Sequence, residues 1–206
     1  MAGTAALGLV LTACGSEDSE PEATDNEPTS ESSESPAPAD DEFTNDECAD
    51  GSSNADTFKA GGILPLTGNL AFLGPPEVAG VGMAVSDINA AGGVNGAQAC
   101  HQIEDSGDTT DLSISTASAR KLIQDEASVV IGAASSSVSL NFVDRLTAAK
   151  VTQVSPANTA VDLSGYSDFY FRTAPPDGIQ GNALGSLISS DGFQKIAFIV
   201  FSDTYG

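Results

Sequence analysis

Basic residues are scarce in this 206-residue chain: 7 Lys and Arg stand against 29 Asp and Glu, a formal net charge of −22. Phosphate contacts need clustered Lys and Arg, and no such cluster occurs, so a nucleic-acid partner is not expected. Histidine occurs once, at His101. A Ser-His-Asp triad or a two-histidine metal site would have to be built around it, yet it stands beside Cys100 in an extended stretch without ligand spacing. A strand or surface histidine is the simpler reading. Glycine-rich phosphate loops of the dinucleotide or P-loop type are also missing. The carboxylates Glu104, Asp105, Asp108 and Asp111 lack the alternating ligands and central glycine of an EF-hand, and they read as a solvated acidic loop. Neither a catalytic constellation nor a metal or cofactor is expected, and enzyme function has no support in these residues.

The charge is unevenly spread. Fifteen of the 29 acidic residues, and none of the 7 basic ones, lie between Gly15 and Asp56. This Ser-, Pro-, Glu- and Asp-rich stretch has one aromatic, Phe43, and cannot bury enough apolar surface to offset the entropy of ordering. It reads as a self-repelling linker over 14–56. Ahead of it, the apolar run Ala5 to Leu11 is too short to span a membrane. Leu11-Thr12-Ala13-Cys14 resembles a bacterial lipobox, which implies a signal peptide over 1–13 and a diacylglycerol on the Cys14 sulfur. A free cysteine in an ordinary apolar segment is the alternative. The usual positive n-region is missing, which points to a leader that begins upstream of Met1. In an exported protein the remaining pair, Cys48 and Cys100, permits a disulfide that pins the end of the linker to the second strand. Two free thiols are the other option.

From residue 57 onward, strands and helices alternate, which implies βαβ crossovers and an α/β fold with an open parallel sheet. Phe58 to Leu64 reads as the first strand, and Pro75-Pro76 opens a helix with Val78, Val81, Val85 and Ile88 on its apolar stripe. Gln98 to Glu104 reads as a second strand, followed by a helix capped near Asp111. Val129-Val130-Ile131 is a short buried strand. After it come small and hydroxyl residues, Gly132 to Ser137, then a helix with Val138, Phe142, Leu146 and Ala149 on one face. Val151 to Ser155 is the next strand and Pro156-Ala157-Asn158-Thr159 leaves it. Tyr170-Phe171-Arg172 is a short extended piece. Pro175-Pro176-Asp177 opens a helix that should bury Ile179, Ala183, Leu184, Leu187 and Ile188. Lys195 to Phe201 reads as the clearest buried strand. The chain then ends in a loop, as a fragment would.

Ligands of open parallel sheets bind at the carboxyl ends of strands, near helix N-termini. The two hydroxyl-bearing loops, Gly132 to Ser137 and Pro156 to Thr159, sit at such ends. A carboxylate suits the free N–H groups where the helix begins. Ser135, Ser136 and Ser137 can also serve simply as a helix cap, and the two roles are compatible.

Four segments together carry a family likeness: LPLTGNLAFLGPPEVAGVGMAVSDINAAGGVNG, IGAASSSVSLNFVDRLTAAKVTQVSPANT, YFRTAPPDGIQG and the terminal SDTYG. They resemble the branched-chain amino acid (leucine/isoleucine/valine-type) substrate-binding proteins of ABC transporters, over residues 57–206. The resemblance implies the first lobe of a type I periplasmic-binding-protein fold, in which two lobes close on the ligand. It also implies that Ser136 holds the ligand α-carboxylate, that the Ala157 carbonyl receives the α-ammonium, and that Thr159 contacts both. Ser135 borders this group, and Tyr205 closes over the ligand from the hinge side. Leu73 stands where some members place an aromatic against the ligand side chain. The expected partners are an amino acid or related small amide, an ABC permease, and the outer face of the bacterial cytoplasmic membrane through the lipid anchor. A ligand-sensing lobe of a regulatory receptor and an adhesive wall lipoprotein are the competing readings.

Overall fold

The computed structural model describes residues 46–48, 56–200 and 204–205. Five strands form one sheet, β1 (Lys59–Leu64), β2 (Cys100–Asp105), β3 (Val129–Gly132), β4 (Thr152–Ser155) and β5 (Tyr170–Arg172). They lie in the order β2-β1-β3-β4-β5. Every neighbouring pair is parallel, so all five carboxyl ends share one edge of the sheet. The helices are α1 (Gly74–Ala90), α2 (Leu112–Gln124), α3 (Ser136–Ala149) and α4 (Asp177–Ser190). The direction of winding reverses between β1 and β3, and a doubly wound sheet opens its ligand crevice at such a point.

The two-residue period of the strands assigns the core. Ala60 and Leu64 of β1 face α1, packing on Val81 and Val85, with Val78 and Ile88 partly buried at the margin. Ile63 of β1 and Val130 of β3 point to the other face, where Leu122 of α2 and Val138, Phe142 and Leu146 of α3 complete the larger cluster. Val143, Ala160, Leu163 and Tyr170 extend that side toward β5. Phe142 is fully buried, and truncating a buried phenylalanine to alanine costs about 3–5 kcal/mol.

Helix ends match their sequence signals. Pro75 and Pro76 occupy the first turn of α1. Asp111 caps α2, accepting from Ser113 N, and Ser135 caps α3, accepting from Val138 N. Gly132 ends β3 at φ 121°, and a Cβ there would stand 2.0 Å from the Ile63 carbonyl oxygen. Only glycine lets β3 leave the sheet this close to β1.

Cys48 and Cys100 are joined as a disulfide. Glu47 pairs with His101 as an isolated parallel bridge. Cys48 N donates to His101 O and His101 N donates to Asp46 O, both at 2.8 Å. So 46–48, expected to belong to an unstructured linker, instead extends the sheet beyond β2. The crosslink lowers the entropy that ordering costs, and the open edge of β2 supplies the hydrogen bonds. The proposed signal peptide, Cys14 and the rest of the acidic linker lie outside the described residues. Among the described residues, no helix is long and apolar enough to cross a membrane.

Two expectations fail. Residues 195–200 form no strand and are exposed, Ile199 fully so, while Phe201 lies outside the described residues. Helix α4 forms over the expected span but buries none of its residues; Ile179, Leu184 and Leu187 are exposed. A buried strand needs a hydrogen-bonding neighbour and cover on both faces. Among the described residues, neither segment has an apolar surface to pack against. Apolar sequence alone produced the helix but could not bury it.

Candidate ligand-binding site

The carboxyl ends of β3 and β4 bring the expected hydroxyl residues together. Ser136, 3% exposed, begins α3. Its Oγ accepts Thr159 N at 3.3 Å and Ala160 N at 3.2 Å. A serine hydroxyl accepts twice and donates once, so these amides occupy its lone pairs and direct its proton elsewhere. Ser135 occupies the cap position itself. The remaining N–H groups of the first turn of α3 add the positive end of a helix dipole.

Thr159 stands opposite. Its carbonyl accepts Asp177 N at 2.8 Å, tying the loop to the start of α4. Its Oγ1 is shut from solvent and has no hydrogen-bond partner among the described residues. A buried hydroxyl left unpaired is costly, and a polar group would recover that cost once the loop opens a path to it. Ala157, in the loop after β4, is partly exposed, and its N–H donates to Ser155 Oγ at 3.3 Å. Leu73 closes the short 3-10 turn Ala71–Leu73 and caps α1, at the carboxyl end of β1. Across the switch point, it therefore faces the same edge of the sheet as the serines. Thr204 N donates to Ser137 Oγ at 3.1 Å, which brings Tyr205 to the N-terminus of α3 from far along the chain.

A buried polar network beneath these loops was not anticipated from the sequence. Ser155 Oγ donates to Ala133 O at 2.7 Å and accepts Asn158 N at 2.9 Å. Gln153 Nε2 donates to Gly132 O at 2.8 Å and Ser139 Oγ at 3.2 Å. Tyr170 donates to Asn158 Oδ1 at 2.9 Å, and burial pushes its hydroxyl up to about 12, so it remains a donor. One signal was readable: Gln153 and Ser155 alternate along β4, placing polar side chains on a face that a parallel sheet normally fills with Val and Ile.

Other residues do not converge here. His101 is buried at the amino end of β2, remote along the strands from the serines. Asp105 organises the loop after β1: burial alone would raise its carboxyl, but hydrogen bonds from Thr67, Gly107 and Leu66 hold it below the usual range. Among the described residues, no group of three His, Cys, Asp or Glu could hold a metal ion. A cavity of about 470 Å³ lies at the opposite, amino end of the sheet, lined by Asp56, Phe58, Asn95 and Ser128 among others. It is open and lacks a helix N-terminus, so the carboxyl edge is the better candidate for an anionic group.

Fold and edge together define an open, doubly wound α/β lobe whose carboxyl edge presents hydroxyls and a helix start. The chain belongs to the periplasmic binding protein family, whose profile matches residues 57–206. It is 36% identical over 137 residues to the leucine-, isoleucine-, valine-, threonine- and alanine-binding protein of Pseudomonas aeruginosa, covering 66% of this chain and 36% of that one. Human metabotropic glutamate receptor 8 is 37% identical over 84 residues, 40% of this chain and 9% of the receptor. Among solved structures, the branched-chain amino acid transporter substrate-binding protein of Streptococcus pneumoniae, bound to isoleucine, superimposes with a TM-score of 0.57 at 30% identity. That match covers 65% of this chain and 38% of the other. A substrate-binding protein from Desulfitobacterium hafniense in complex with leucine gives 0.61 at 25% identity, covering 73% and 44%. The chain thus spans little more than a third of the curated Pseudomonas relative.

Proposed function

We propose that this chain forms the first lobe of an extracytoplasmic receptor that binds an amino acid or related small amide and delivers it to an ABC permease. The ligand's α-carboxylate accepts hydrogen bonds from the Ser136 hydroxyl and from the N–H groups opening α3. Thr159 Oγ1 meets the zwitterion between carboxylate and ammonium, the Ala157 carbonyl receives the ammonium, and Tyr205 and Leu73 flank the side chain. Cys14 carries the lipid that holds the receptor at the outer face of the cytoplasmic membrane. The role is binding and not catalysis. The observation that carries this reading is the pairing of a doubly accepting Ser136 with a buried Thr159 hydroxyl that has no partner among the described residues, across adjacent strand ends.

The likeness to a metabotropic glutamate receptor supports a second reading, a ligand-sensing lobe of a signalling receptor. Permease and ATPase genes beside this one favour transport, and a kinase or cyclase gene favours sensing. Calorimetry with leucine tests the site itself, on a chain extended to the length of its relatives. Ser136→Ala and Thr159→Val should each weaken binding by about tenfold or more, as expected for a lost hydrogen bond to a charged group. Unchanged affinity in both variants would remove the site assignment.

A further inference from the structure

Besides Ser136, the two loops are tied to each other by a side chain that faces no ligand. Asn158 lies between Ala157 and Thr159 and is fully buried. Its Nδ2 donates to Ala133 O at 3.0 Å and Ala134 O at 2.8 Å, the two residues just before the Ser135 cap. Its Oδ1 accepts the Tyr170 hydroxyl at 2.9 Å, and its backbone N–H rests on Ser155 Oγ at 2.9 Å. With both N–H bonds and the oxygen engaged, the amide has one orientation. This buried residue thereby fixes, together with Ser155 and Ser136, the spacing between the loop that starts α3 and the loop that leaves β4. In a low-dielectric interior such a satisfied network is stiff, and a half-satisfied one is costly.

We infer that Asn158 is a positioning residue of the site, holding the N-terminus of α3 against the 157–160 loop so that Ser136 and Thr159 address the same ligand. The inference rests on the proposed function for its ligand but not for its geometry. Tyr170 backs Asn158 from β5, so the rigidity of the site reaches across three strands.

The test compares the full chain with its Asn158→Ala and Tyr170→Phe variants, titrated by NMR with leucine and with leucinamide, whose carboxylate is replaced by a neutral amide. Asn158→Ala should weaken leucine by about tenfold or more while leucinamide loses far less, so the preference for the carboxylate narrows. Tyr170→Phe deletes one oxygen and should narrow it less. A parallel loss for both probes, or an unchanged ratio, overturns the inference. Should Asn158→Ala fail to fold, the Tyr170→Phe ratio decides by the same criterion. Amide hydrogen exchange without ligand separates this from the functional reading. Asn158→Ala, or Tyr170→Phe in its place, should speed exchange at Ser137 to Ser139 relative to α1, and equal effects on both helices overturn the positioning role. If the wild-type chain binds neither probe, the proposed function fails and the exchange comparison still decides the positioning role.

Discussion

At Ser136 one small side chain performs two tasks, because its oxygen holds the loop after β4 while its proton is left to donate. Removing it should therefore cost stability as well as affinity, about 1–3 kcal/mol for the stranded amides, read by chemical denaturation of Ser136→Ala. Glu77, in the first turn of α1, behaves differently: burial raises its carboxyl from the ordinary 4.5 to about 7, and one of its oxygens has no partner among the described residues. A folded value above the unfolded one links protonation to folding. Its contribution is complete below pH 4.5 and is lost as the pH rises through about 7. Glu77→Gln should flatten the stability profile across that window, measured by thermal melts from pH 4 to pH 8; an unchanged slope contradicts this. The hydroxyls at 135–137 were readable in the sequence because they directly follow an apolar run and open a helical stripe. Asn158 and Tyr170 were not, since each has an ordinary local explanation as turn or strand, and Ser155 showed only through its alternation with Gln153. Only the parallel packing of β3, β4 and β5 joins them.

Among the elements, the sequence pattern located β1 to β4 and the four α-helices, because the apolar runs of the strands and the three- and four-residue steps of α1 and α3 are set by which side chains must be buried. Residues 170–172 read only as a short extended piece, and the 3-10 turns at Ala71–Leu73 and Val161–Leu163 were not anticipated. The pattern overreached at 195–200, where an apolar run met no neighbouring strand among the described residues. It also missed the short bridge at Glu47, which local propensity cannot reveal because a crosslink to Cys100 holds it. That crosslink closes a loop of sequence separation 52. Replacing Cys48 and Cys100 with serine should lower unfolding free energy by about 2–4 kcal/mol and release 46–48 to rapid amide exchange. Site geometry should survive, because the bridge lies at the amino end of β2 and the serines at the carboxyl end of β3.

On the scale of the whole molecule, α4 and the 196–200 run leave the large apolar residues Ile179, Leu184, Leu187, Ile196, Phe198 and Ile199 exposed. Leu184→Glu with Leu187→Glu should lower binding of a hydrophobic dye without weakening the sheet. The matched relatives extend well past this chain, and a single lobe leaves one side of a ligand in water. Leucine should accordingly bind the 206-residue chain weakly, with a chain extended to the relatives' length binding more tightly. The most direct test is a ¹H–¹⁵N NMR titration of this chain with leucine. Shifts should concentrate at the amides of Ser136 to Val138 and of Ala157 to Ala160. Shifts confined to the opposite end, at Thr57, Phe58 and Val94 to Ala97, with the serine amides unmoved, would contradict the account.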